Sequence, residues 1–115
     1  MAEAKPRLQP LRIPGGWKTD VNMLYELEPS PDTIDWFYGP ILFSAIHRNL
    51  GHEIYVRWEP EGDPLGRFLL QRYLLKFDEK GSSVLEGYLV DSVYFRERLQ
   101  LVDRLEMYME LSKWT

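Results

Sequence analysis

The sequence predicts an α+β domain: an antiparallel sheet of about five strands, arranged as a meander, with one C-terminal helix packed on one face. Three observations support this fold class. The chain has 115 residues, the usual length of a single domain. Between residues 17 and 90, apolar and polar side chains alternate with a period of two, in runs separated by turn-forming residues. Beyond Ser92, apolar side chains recur every three or four residues, which is the period of a helix.

Each strand is predicted where an alternating run lies between two turns. The first run, from Trp17 to Leu27, is typical of a half-buried strand and stops at the turn residues 28–32. Residues 67–77 are apolar on both sides of the alternation, so they should form a central strand. The remaining strands are expected at residues 41–46, 53–59 and 84–90, with hairpin turns at residues 60–66 and 78–81.

The helix is expected to begin at Asp91 and Ser92, whose side chains can cap a helix N-terminus. Its predicted apolar face consists of Phe95, Leu99, Val102, Leu105 and Met109. Because this spacing places the side chains on one side of a helix, Phe95, Leu99 and Val102 should be buried against the sheet.

Residues 1–16 are expected to be a flexible tail that precedes a single domain at residues 17–115. Three prolines and the pair Gly15–Gly16 interrupt any regular structure in the tail. The N-terminus lacks the apolar core of a secretion signal, and no apolar run is long enough for a membrane helix. Since the chain also has no cysteine, we expect a cytoplasmic protein without disulfides.

Two acidic clusters stand out in a chain of net charge −4. Residues 19–35 contain five carboxylates and no cation, and the predicted loop after Trp58 contains three more. An acidic body disfavours nucleic acid as a partner, because phosphates require cations. It favours a basic protein, since opposite fields accelerate encounter.

The residues that carry chemistry in enzymes form no recognisable catalytic pattern here. His47 and His52 flank a glycine turn at a spacing that matches no zinc or catalytic motif, so we expect both to be exposed to solvent and to bind no metal. Aromatic and basic residues alternate on two predicted strands, which indicates cross-strand packing between tyrosine and arginine; these residues are Tyr55, Arg57, Arg67, Arg72 and Tyr73.

Two phrases of the sequence resemble a known family. The first is Ile13-Pro14-Gly15-Gly16-Trp17, followed by a segment that ends in Tyr25-Glu26-Leu27-Glu28-Pro29. The second is the stretch from Trp58 to Phe68, which reads Trp-Glu-Pro-Glu-Gly-Asp-Pro-Leu-Gly-Arg-Phe. Both phrases, in this order, resemble those of small cytosolic bacterial immunity proteins of polymorphic toxin systems, including contact-dependent inhibition.

The resemblance implies a protein that performs no chemistry and uses no cofactor. It implies binding to a cognate toxin domain, often a basic nuclease, and neutralisation of that toxin. No contact residue can be transferred from the family, so the acidic clusters provide the candidate partner-binding residues: Glu26, Glu28, Asp32, Asp35, Glu59, Glu61 and Asp63. We expect neither nucleic acid nor membrane as a partner. The alternative is a small-molecule-binding domain, or a subunit of an enzyme, that uses the aromatic-rich sheet.

Overall fold

The computed structural model describes residues 5–114. In this part of the chain, five antiparallel strands form one sheet in the order β1-β2-β3-β4-β5, and one α-helix follows them. The predicted α+β meander with a C-terminal helix is confirmed. The elements are β1 (Trp17–Asn22), a 3-10 turn η1 (Ile34–Phe37), β2 (Phe43–His47), β3 (His52–Glu59), β4 (Arg67–Phe77), β5 (Val84–Phe95) and α1 (Arg98–Glu110).

The core lies between α1 and one face of the sheet. In β3 the alternation in burial follows the alternation in sequence, so that Ile54, Val56 and Trp58 are buried. Val56 pairs with Phe43 of β2 on one side and with Leu70 of β4 on the other, and all three side chains are fully buried. These apolar rows form the face that α1 covers, because cross-strand neighbours share a face of the sheet.

The helix begins at Arg98, and the prediction that it begins at Asp91 and Ser92 is wrong. Instead, β5 continues to Phe95, which pairs with Phe68 of β4. The two side chains that suggested a helix cap bind residues of β4 instead. Both carboxylate oxygens of Asp91 accept hydrogen bonds from Arg72, and the hydroxyl of Ser92 accepts one from Gln71. Pairing with β4 therefore prevails over the local capping signal.

The buried face of α1 is rotated relative to the predicted one. Val102, Leu105 and Met109 are buried as expected, whereas Leu99 is 60% exposed and its predicted burial is wrong. Leu101 is fully buried instead. Because successive residues of a helix are ~100° apart around its axis, Leu99, two residues before Leu101, lies on nearly the opposite side of α1. Phe95 lies in β5, where it is half-buried and packs against the core.

The first strand is shorter than predicted, because the chain leaves β2 after Asn22. The next residues pair with the N-terminal segment: Leu8 forms an antiparallel bridge with Tyr25, and the N–H of Gln9 donates to the carbonyl of Leu24 at 2.8 Å. Part of the expected tail thus lies against the domain. The flexibility expected for residues 1–16 stays a prediction, and residues 1–4 lie outside the described part of the chain, as does Thr115.

Truncation of two leucines tests which side of α1 faces the core. We expect Leu105→Ala to lower the free energy of unfolding by about 2–5 kcal/mol, since it opens a cavity beneath a fully buried position. Leu99→Ala, on the exposed side of the same helix, should change it by less than about 0.5 kcal/mol. Urea unfolding of both variants measures the difference, and equal losses would contradict the observed orientation of α1.

Candidate functional site

The β3–β4 loop is closed by hydrogen bonds that involve Asp63. The indole Nε1 of Trp58 donates to the carbonyl of Asp63 at 2.9 Å, and the carboxylate of Asp63 accepts from the N–H of Leu65 at 2.8 Å. A Cβ at Gly66 would lie 2.5 Å from the carbonyl oxygen of Glu59, so only glycine fits there. Asp63 therefore shapes the loop.

The segment that carries Asp35 is anchored by an aromatic cluster of Phe37, Trp58 and Phe68. Phe37, at the end of η1, is 2% exposed, and its ring centroid lies 5.3 Å from that of Trp58 and 5.9 Å from that of Phe68. Trp58 and Phe68 in turn contact each other edge to face at 5.0 Å. Because Trp58 also binds the β3–β4 loop, the same cluster positions both segments that carry predicted acidic residues, while Asp35 itself stays exposed.

The two acidic segments meet at Tyr38 and Gly39. The backbone N–H of Gly39 donates to a carboxylate oxygen of Glu61 at 3.3 Å. The hydroxyl of Tyr38 lies so close to Gly62 that a Cβ on this glycine would be 2.7 Å away. The residues just after η1 thus contact the β3–β4 loop, so Asp35 of η1 and Glu61 of the loop lie on neighbouring segments.

Two of the seven predicted partner-binding residues are neutralised within the chain. Glu26 forms an ion pair with Arg7 at 2.7 Å, and Glu28 forms one with Arg98 at 2.9 Å. Among residues 5–114, no ion pair involves the remaining five, which are Asp32, Asp35, Glu59, Glu61 and Asp63.

The carboxylate of Asp63 is engaged in a hydrogen bond within the β3–β4 loop, so we leave it out of the acidic surface. We define the acidic surface as Asp32, Asp35, Glu59 and Glu61. Glu59 is held at its edge by the hydroxyl of Tyr94, which donates to the carboxylate at 3.3 Å. Asp32, Asp35 and Glu61 are exposed to solvent, and Glu59 is half-buried. The acidic surface therefore groups four carboxylates that form no ion pair within residues 5–114.

A small cavity of about 280 Å³ adjoins the acidic surface. It is lined by Gly39, Pro40, Arg57, Trp58, Glu59 and Glu61. The Nε of Arg57 is buried and has no hydrogen-bond partner among the described residues. The cavity thus combines one cation with two carboxylates and an indole ring.

The sheet face opposite α1 carries tyrosines and arginines, but not as one stripe. Tyr55 and Tyr73 contact each other edge to face at 5.6 Å, and the guanidinium of Arg67 lies 4.1 Å from the ring centroid of Tyr94. Arg72 is on the other face, beneath α1, where its guanidinium lies over Tyr108. One arginine of the predicted set, Arg67, thus packs on a tyrosine of a neighbouring strand, whereas Tyr55 and Tyr73 pack on each other.

Two groups on this opposite face have perturbed pKa values. Burial raises the pKa of Glu53 above its ordinary 4.5. Burial also raises the pKa of Tyr55 to about 12, and the neighbouring carboxylate of Glu53 adds to the effect. Both shifts arise chiefly from desolvation in the sheet.

A second aromatic cluster, which sequence reasoning missed, lies beneath the end of α1. His52 is only 3% exposed, so the prediction that it faces solvent is wrong. Its ring stacks on the indole of Trp114 at 3.8 Å and 11°. The guanidinium of Arg72 lies 3.8 Å from the ring centroid of Tyr108 and 5.2 Å from that of Trp114. The cluster holds the C-terminal residues against the sheet.

His52 lies directly opposite His47 in the β2–β3 pairing, and its Nδ1 has no hydrogen-bond partner among residues 5–114. His47 contacts Trp17 edge to face at 5.6 Å. The one available signal for this cluster was the strict alternation of β3, which places His52 in the same row as Ile54 and Val56.

Comparison with known proteins found no matching family model, no similar curated protein and no similar solved structure. Within the described residues, no group of three or more metal-ligating side chains could hold an ion. Over the same residues, no helix has both the length and the apolar character needed to cross a bilayer.

The lowered pKa of His52 predicts how the free energy of unfolding depends on pH. Burial lowers the pKa of His52 below its ordinary 6.5, and the charges of His47 and Arg72 lower it further. Because the unfolded chain then binds a proton more readily than the folded one, acid favours unfolding. We expect the free energy of unfolding to fall as the pH drops below about 6.5 towards the lowered pKa.

Urea unfolding at about pH 7.5 and about pH 5.5 measures this dependence. The variant His52→Phe keeps an aromatic ring against Trp114 but cannot titrate, so it should lose much of the difference between the two pH values. An unchanged pH dependence in this variant would contradict the assignment. His47→Gln is the matched control and should retain most of the dependence, since burial is the larger cause at His52.

Proposed function

We propose that this chain is an immunity protein that binds and neutralises a cognate bacterial toxin domain, a basic nuclease, through the acidic surface. The observation that carries the proposal is the convergence of two acidic segments on one rigid support. The hydrogen bond between Gly39 and Glu61 joins the segments, and the cluster of Phe37, Trp58 and Phe68 anchors both. A surface built in this way keeps its shape before the partner arrives, which lowers the entropic cost of association.

The charges support a basic partner. Asp32, Asp35, Glu59 and Glu61 make no ion pair within residues 5–114, and one cation, Arg57, lines the same cavity as Glu59 and Glu61. A basic nuclease must carry cations where it holds phosphates, and carboxylates at similar separations can occupy those positions. In this proposal the protein acts in the cytoplasm, without cofactor or catalysis, and blocks the toxin by occupying its nucleic-acid site.

Charge reversal on the acidic surface tests the proposal. The variant with Asp32→Lys, Asp35→Lys and Glu61→Lys leaves untouched Asp63, which shapes the loop, and Glu28, which is paired with Arg98. We expect association with the toxin domain encoded beside this gene to slow by about tenfold or more at low salt, and its salt dependence to flatten. Stopped-flow or biolayer measurements at several salt concentrations give both quantities, and growth on co-expression reports protection.

A control variant separates local charge from net charge. Glu79→Lys, Asp103→Lys and Glu110→Lys alter net charge by the same amount at exposed positions outside the acidic surface. This control should slow association by less than about threefold. Equal effects of the two variants would show that only net charge matters and would contradict the proposed interface.

The cavity beside the acidic surface favours a second candidate, a small-molecule-binding domain. Its volume of about 280 Å³ is near the lower end for ligand pockets, and Arg57 supplies a cation whose Nε lacks a partner among the described residues. Arg57→Met removes this cation and leaves every carboxylate of the acidic surface in place. Protection that survives Arg57→Met but is lost on charge reversal supports the toxin-binding function, and absence of protection by the unaltered chain supports the small-molecule one.

A further inference from the structure

The last strand of the sheet has an unpaired edge that is long and apolar. β5 spans 12 residues and is hydrogen-bonded to β4 on one side; within residues 5–114, no strand pairs with its other side. Its first half exposes four large apolar side chains: Val84 (46%), Leu85 (59%), Tyr88 (54%) and Leu89 (52%). Such an edge offers free backbone donors and acceptors beside apolar surface, a combination that favours pairing with another strand.

Natural sheets usually protect an exposed edge with charges, prolines or very short strands. The opposite edge of this sheet is protected in that way, since β1 has six residues and exposes Lys18 and Asp20. The first half of β5 has no proline and one charged residue, Glu86. Glu86 lies opposite Lys76 of β4, and its carboxylate accepts a hydrogen bond from the hydroxyl of Tyr88.

We propose that the free edge of β5 pairs antiparallel with β5 of a second copy of this chain, with the two-fold axis at Gly87. This register places Leu85 opposite Leu89 of the partner subunit, and Glu86 opposite Tyr88 of the partner subunit. Apolar side chains meet apolar ones, and the glutamates do not face each other. A two-fold interface requires this self-complementarity, because the same segment serves both subunits.

The pairing with β4 limits where the contact forms. The pairing of β5 with β4 is irregular on either side of residues 86–89. At these two β-bulges, Leu85 and Val90 of β5 have no partner residue in β4. The regular ladder between the two subunits is therefore centred on residues 86–88, with Leu85 and Leu89 packing at its ends. The interface is independent of the acidic surface, and its exposed apolar side chains suit a second copy better than a basic partner.

A single cysteine tests the register. The chain contains no cysteine, so any disulfide formed by Gly87→Cys joins two copies. The substitution fits, because a Cβ at Gly87 would lie no closer than 3.5 Å to its nearest neighbour, Leu75. We expect Gly87→Cys to form a covalent dimer on mild oxidation, seen on a non-reducing gel. Leu65→Cys, at a position that is 81% exposed in the β3–β4 loop, should not do so at a comparable rate.

A charge on the edge tests the dimer itself. In analytical ultracentrifugation at about 100 μM, a concentration well above the Kd expected for a specific homodimer, the unaltered protein should have twice the 13.7 kDa mass of one chain. Leu85→Lys should be a monomer under the same conditions, whereas Leu65→Lys, the same change at another exposed leucine, should stay dimeric. Circular dichroism establishes that both variants fold.

A monomeric unaltered protein would overturn the proposal, as would a Leu85→Lys variant that remains a dimer. Equal cross-linking of Gly87→Cys and Leu65→Cys would overturn the register at Gly87. If Leu85→Lys does not fold, the cross-linking comparison alone decides the outcome. None of these measurements involves the toxin domain, so they stand whether or not the proposed function is correct.

Discussion

The ion pair between Arg72 and Asp91 is the interaction on which much of this fold depends. Arg72 lies beneath α1 on the covered face of the sheet, and both of its contacts with Asp91 are charge-assisted hydrogen bonds, at 2.6 and 2.9 Å. The hydrogen bonds from Arg72 hold the pKa of Asp91 below its ordinary value, and the same bonds raise the pKa of Arg72. A cation so placed requires this partner, because an unpaired buried charge is strongly destabilising.

Several other features follow from that pair. Asp91 must remain in β5 to reach Arg72, so the helix cannot begin there and starts at Arg98 instead. The guanidinium then provides the surface on which Tyr108 and Trp114 pack, which holds Trp114 over the sheet. Trp114 in turn covers His52 and separates it from water. The ion pair is thus linked, through Arg72 and Trp114, to the side chains that cover His52.

The acidic surface depends on a different part of the core. Phe37 and Trp58 come from separate segments and meet beneath the two acidic loops. The ion pairs of Glu26 with Arg7 and of Glu28 with Arg98 serve a structural purpose, since they join the segment after β1 to the N-terminal residues and to the start of α1. Along one acidic stretch, Glu26 and Glu28 are ion-paired, whereas Asp32 and Asp35 form no ion pair within residues 5–114. The edge of β5 that has no partner strand within residues 5–114 lies on a third part of the molecule.

The sequence by itself determined the strand pattern, the single C-terminal helix and the acidic character of two loops. These features depend only on local periodicity and composition. The alternation of β3 arises within one strand, and the spacing of Val102, Leu105 and Met109 by three and four residues arises within one helix. The start of α1, the exposure of Leu99 and the burial of His52 were decided only by tertiary structure. Each depends on a residue distant in sequence, such as Arg72 for Asp91 or Trp114 for His52. The same holds for the candidate site, because the carboxylates of Glu26 and Asp35 look alike in the sequence, and only the position of Arg7 in the fold shows which one is paired.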